Sequence, residues 1–169
     1  ISKLQHRLNT TTVYVTHDQV EAMTMGQRIA VLRPCTENPR DTNLMQCGSP
    51  MDLYDRPDNI FVARFIGTPP MNLLQLADGR IAGSDVPIGL QAAKLGLRPE
   101  DIRLGSDGVA ATVQGSEYPG ADLVLRCAIG NQSLRVRADG QTDVAAGQPG
   151  APLWTPDEGR AVEGGGRPI

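Results

Sequence analysis

Two consecutive prolines, Pro69 and Pro70, constrain this chain more than any other feature. They follow a helix-like run and stop it, because the proline ring cannot continue a helix and pushes the preceding residue into extended backbone. The texture changes across them. Before the prolines, apolar residues recur at spacings of three and four. After them, short alternating stretches are separated by Gly, Asp and Pro turns. A border at Thr68 gives a first unit over residues 1–67, a second over residues 68–157, and a polar, Gly-rich tail at 158–169 read as loose. A length of 169 residues accommodates two small units. With only 1 Trp, 3 Tyr and 2 Phe, their cores must rest on Leu, Val, Ile and Ala.

The first unit reads as alternating helix and strand. Ile1, Leu4 and Leu8 suit an amphipathic helix, and a chain opening inside a helix with Ile1 rather than Met is expected to be a piece of something longer. Thr11-Thr12-Val13-Tyr14-Val15 is β-branched and aromatic, which predicts a short buried strand. It runs into Asp18 and, three residues later, Glu21, the pattern of a helix N-cap with a reciprocal partner, and Gly26 offers a stop. Residues 28–32 predict a second strand, residues 33–42 a loop, and residues 44–48 a short strand. Ser49 before Pro50 predicts a capped helix, and Asn59 opens another that uses both Phe residues, Phe61 and Phe65, and is expected to be a packing anchor. The implied first unit is the edge of an α/β sheet.

In the second unit Leu123, Leu125, Cys127 and Ile129 alternate onto one face, Gly130-Asn131 is a hairpin signal, and Leu134 and Val136 alternate with Arg135 and Arg137. Shorter strands are predicted at 73–76, 94–97, 109–113 and 151–154, so a small all-β barrel or sandwich is expected. The three cysteines, Cys35, Cys47 and Cys127, lack C-x-x-C spacing and suggest neither a disulfide framework nor a zinc site. A net charge of −3 without a Lys/Arg-rich run argues against nucleic acid as a partner. No apolar run approaches the roughly 18 residues needed to span a bilayer.

Only the stretch around His17 calls for a chemical reading. The histidine stands where a predicted strand ends and a helix begins, the place where open α/β sheets bind ligands. A histidine bonded to a backbone carbonyl in a strand-to-helix turn is the plainer alternative. Asp18 reads as a helix cap at the positive end of the helix dipole.

The run YVTHDQVEAMTMGQRIAVL, followed by CGSPMDLYDRPDNIFVARFIGTPPMNLL, resembles the end of the ATP-binding subunit of ABC importers of the carbohydrate-uptake class, of maltose or glycerol-3-phosphate type. Gly96-Leu97-Arg98-Pro99-Glu100-Asp101 and Glu117-Tyr118-Pro119-Gly120-Ala121-Asp122 resemble two loops of that family's OB-like (TOBE) regulatory domain. The resemblance implies an α/β remnant of an ABC nucleotide-binding domain followed by a mainly β, OB-like small barrel. It implies that His17 is the switch histidine, placed near the γ-phosphate of ATP. It also implies ATP and magnesium as cofactors of the intact subunit, and as partners a second ATPase subunit, inner-membrane permeases and a regulatory protein or small effector at the OB-like domain. The place implied is the cytoplasmic face of the inner membrane.

The phosphate loop G-x-x-x-x-G-K-[ST], the magnesium aspartate, the catalytic glutamate and the signature motif of the family are not in this sequence, whose two lysines are Lys3 and Lys94. The chain alone is therefore expected to bind ATP feebly. Three departures from the family pattern stand out: a longer stretch at 33–43 in place of a tight hairpin, Arg64 where a small residue is expected, and a tail from Glu158 that supplies no apolar last strand. Two other functions stay open beside the importer. One is a stand-alone module whose β domain recognises a small anion or partner protein. The other is a metal-assisted hydrolase using His17 with Asp18, although no further ligand spacing supports it.

Overall fold

The computed structural model describes residues 10–34, 43–105, 108–117, 122–139, 146–154 and 159–162, and they form a mainly β protein. The predicted helix at 1–9, most of the 33–42 loop and the turn at 118–121 lie outside the described residues.

Among the described residues the first unit holds three short helices, α1 (Gln19–Met25), α2 (Pro50–Asp55) and α3 (Ile60–Phe65), beside an antiparallel pair, β1 (Ile29–Leu32) and β2 (Leu44–Gly48). The caps are those the sequence predicts. Ser49 and Asp52 close a capping box with Pro50 in the first turn of α2. Asn59 caps α3 by accepting from the Val62 N–H at 3.1 Å, and its amide also donates to the Met45 carbonyl at 3.0 Å, so one buried side chain ties α3 to β2. The small core of this unit is Val31, Leu53, Val62 and Ile66.

One expectation for this unit changes. Residues 11–15 form no strand: Val13 and Val15 are 89% and 90% exposed, since no neighbouring strand among the described residues offers them a ladder, and β propensity without a partner fixes nothing. The helix α3 is the packing anchor the sequence predicts, through Val62 and Ala63, followed by Ile66, with Phe61 packed against that core and Phe65 turned outward and stacked on Phe61. Arg64 is exposed and crowds no helix contact.

The second unit is an open half-barrel of two antiparallel four-stranded sheets. One has the order β10 (Pro149–Gly150), β7 (Ala111–Glu117), β8 (Leu123–Ile129), β9 (Gln132–Ala138). The other runs β12 (Arg160–Ala161), β5 (Lys94–Leu97), β3 (Asn72–Ala77), β4 (Arg80–Ile81). The predicted hairpin is present in the predicted register. Leu125 faces Val136, Cys127 faces Leu134, and Gly130 takes positive φ (56°) in a two-residue turn. A second hairpin joins β3 to β4 through Asp78 and Gly79, both at positive φ.

The two sheets share one core, with Leu74, Leu95 and Leu97 packed among Val113, Leu125, Cys127 and Val136. Side-chain amides extend their pairing where strand bonds stop. Asn72 exchanges two 2.7 Å hydrogen bonds with the Arg135 backbone, and Gln132 accepts from the Gln75 N–H at 2.6 Å while donating to the carbonyls of Gln75 and Ala82. The strand predicted at 151–154 is present in shorter form as β11 (Pro152–Leu153), which pairs with β6 (Arg103–Leu104), and β10 just before it pairs with β7. The tail is corrected in part. Arg160 and Ala161 pair with β5 and Val162 is buried with Ala63 and Met71, because an apolar valine at the strand end finds a gap between the two units.

Candidate functional site

His17 sits at the apex of the turn that leads into α1, and its neighbours on both sides are pinned. The Thr16 hydroxyl accepts from the Asp18 N–H at 3.0 Å and donates to a Glu21 carboxylate oxygen at 2.9 Å. Asp18 caps α1, its Oδ1 accepting from the N–H groups of Val20 (2.7 Å) and Glu21 (3.1 Å). The expected cap is thus present. Its reciprocal half is not: Glu21 reaches back to Thr16 and to the Tyr14 hydroxyl (3.1 Å) instead of the Asp18 backbone. The same hydrogen bond to Glu21 holds the Tyr14 phenol above its ordinary pKa.

The result is a rigid turn that presents a free imidazole. His17 is exposed, and its side chain has no hydrogen-bond partner among the described residues. It lines a cleft of about 670 Å³ whose other walls come from α1, β1, the exposed segment around Val13 and the end of α3 at Phe65. The plainer reading, a histidine satisfied by a backbone carbonyl, does not describe this ring.

The cleft is not by itself a nucleotide site. Arg28 is its one arginine or lysine, the described residues contain no cluster of three or more metal-ligating side chains, and the sequence has no glycine-rich phosphate loop. The phosphate and metal ligands of a nucleotide site are thus not gathered among the described residues of this cleft. Asp18 gives its Oδ1 to the N-terminus of α1.

A second cavity, of about 430 Å³, lies in the half-barrel among Val86, Ile88, Leu90, Val109 and Trp154. No charged side chain among the described residues lines it. Cys47 is exposed and Cys127 buried, both as free thiols, and burial raises the Cys127 pKa.

Arg98, which the sequence places in a loop with no role of its own, is the residue that the structure brings forward. It is only 4% exposed and lies at the junction of the two units. Its guanidinium stacks over the Tyr54 ring, with Cζ 3.9 Å from the centroid. Nη1 donates to the Ile66 carbonyl at 2.6 Å, Nε donates to the Tyr54 carbonyl at 3.2 Å, and Nη2 shares that second acceptor. Glu100 bonds the Tyr54 hydroxyl rather than Arg98. Burial lowers the Arg98 pKa, and burial together with the Glu100 contact pushes the Tyr54 phenol up to about 12. The usable signal in the sequence is an arginine that ends the buried run Leu95-Gly96-Leu97, where a charge must find acceptors.

Residues 95–162 match the TOBE domain family. The sn-glycerol-3-phosphate import ATP-binding protein of Psychromonas ingrahamii is 42% identical over 166 residues, covering 87% of this chain and 43% of that protein. The oligosaccharides import ATP-binding protein of Bacillus subtilis is 34% identical over 172 residues, covering 87% and 45%. The xylose/arabinose import ATP-binding protein of Haloferax volcanii is 39% identical over 175 residues, covering 87% and 42%. The chain thus spans less than half the length of these curated relatives.

Proposed function

We propose, from the premise that this chain corresponds to the C-terminal part of an ABC importer ATP-binding subunit with its TOBE domain, that it contributes the switch histidine and the regulatory half-barrel of such a motor. The cargo class is a sugar or glycerol-3-phosphate, the one that the relatives' names carry. The first unit is read as the remnant of the nucleotide-binding domain. The partners are a second ATP-binding subunit and membrane permeases, which would hold the chain at the cytoplasmic face of the membrane. No helix among the described residues is long and apolar enough to cross it.

The observation that carries this reading is the unpartnered, exposed imidazole of His17 on a turn fixed from both sides. An N–H donor held rigidly beside a terminal phosphate can hydrogen-bond developing charge without reorganising, and in phosphoryl transfer most of the protein's work is positioning and electrostatics. Thr16, Asp18 and Glu21 fix the backbone that carries the ring, which leaves the ring free to meet its target. On this reading the phosphate cradle and the metal ligands belong to the rest of the intact subunit, since the sequence has no glycine-rich phosphate loop and the described residues hold no cluster of three or more metal-ligating side chains.

The test exchanges this chain for the matching C-terminal part of the Psychromonas ingrahamii relative. A hybrid that assembles with that relative's permease and restores glycerol-3-phosphate uptake supports the reading. A folded hybrid that neither hydrolyses ATP nor binds the permease contradicts it. The chain alone is expected to bind magnesium ATP no more tightly than about millimolar, and micromolar affinity in calorimetry would overturn the division of labour.

A further inference from the structure

The Ile66–Gly67 peptide unit is gripped from both sides. Its carbonyl accepts from Arg98 Nη1 of the second unit at 2.6 Å, and its N–H donates to Gln19 Oε1 at 3.1 Å. Gln19 is the first residue of α1 and lies two positions beyond His17. Arg98 follows directly on β5, and its other hydrogen bonds among the described residues go to the Tyr54 carbonyl, not to α1. Gly67 makes the grip possible, since it adopts positive φ (106°) and a Cβ there would lie 2.8 Å from Arg98 Nη1 and 3.2 Å from the Tyr54 ring. Both hydrogen bonds polarise the peptide in the same sense, so each strengthens the other.

We propose that this peptide is a coupling joint through which the half-barrel sets the position of the His17 turn, with Gln19 and Arg98 as positioning residues. A shift of the half-barrel that moves the guanidinium moves the Ile66 carbonyl, rotates the Gly67 N–H and pulls on the side chain that starts α1. The contact chain stands on the structure. Its meaning for catalysis rests on the reading of His17 given above.

The experiment is backbone NMR on the ¹⁵N-labelled full chain, comparing Arg98→Lys, Gln19→Leu, Gln19→Glu and the Gln19→Leu/Arg98→Lys double variant. A lysine keeps the charge but lacks the planar fork that spans the two carbonyls while stacking on Tyr54. Arg98→Lys is expected to move the amide resonances of residues 16–20 and to speed Gly67 amide exchange about tenfold. Gln19→Leu should reciprocally move residues 97–101, the double variant should be non-additive, and Gln19→Glu, which keeps an acceptor oxygen, should restore the Gly67 resonance. Changes confined to residues next to each substitution, with Gly67 exchange unaltered, would overturn the joint. If Arg98→Lys does not fold, the Gln19 pair decides alone, because Gln19 lies outside the core. None of these readouts uses ATP turnover, so a failure of the His17 reading and a failure of the joint stay distinguishable.

Discussion

At the scale of single residues, two side chains divide the work: His17 is held out and Arg98 is held in. An arginine that is 4% exposed loses its hydration and is tolerable only because two backbone carbonyls and an aromatic face replace it. Arg98→Met leaves those carbonyls orphaned and should lower the unfolding free energy by about 3 kcal/mol in urea titrations. Tyr54 makes a pH prediction with a definite sign. Its phenol ionises near 12 when folded and near 10 when unfolded, so its contribution is complete below about pH 10. As pH rises from there towards 12 the unfolded chain releases the proton first, and stability falls. Thermal melts across that range should show the decline in the parent and a shallower one in Tyr54→Phe. The Asp18 cap was legible because a cap is a local pattern. The Arg98 clamp was not, because its acceptors lie 32 and 44 residues away and are backbone atoms that sequence does not mark.

At the scale of elements, the sequence was readable where an element carries its own partner. The hairpin of β8 and β9 brings both strands and the turn within one stretch, and the predicted faces and register hold. Gly130→Ala should be strongly destabilising, since the new Cβ would come 2.1 Å from the Gly83 carbonyl oxygen at a positive φ, and the melting temperature reports it. The helices of the first unit were readable through their caps. Asn59→Ala removes the cap of α3 and a bond to β2 together, and should cost about 2 kcal/mol by chemical denaturation. Residues 11–15 were misread because a strand is a relation, and its partner is not among the described residues. The 151–154 strand was read too long for a related reason: only Pro152 and Leu153 find a partner, and that partner, β6, is distant in sequence.

At the scale of the molecule, the helices before Thr68 and the strands after it are not separate bodies of packing. Ala63, Met71 and Val162 pack into one cluster across Thr68, and Arg98 bonds across it. The mainly β second unit was legible from alternation alone. How its sheets meet was not, because the Asn72 and Gln132 amides that complete the pairing look in sequence like ordinary polar strand residues. The two units thus form a transmission, with an imidazole at one end and a half-barrel at the other. The central claim is that His17 serves phosphate chemistry supplied by other parts of an intact subunit, and steady-state ATP turnover of the hybrid described above, with and without His17→Ala, tests it most directly. The account predicts a fall in turnover of about two orders of magnitude with little change in ATP binding, and a His17→Ala hybrid running at the parental rate would contradict it.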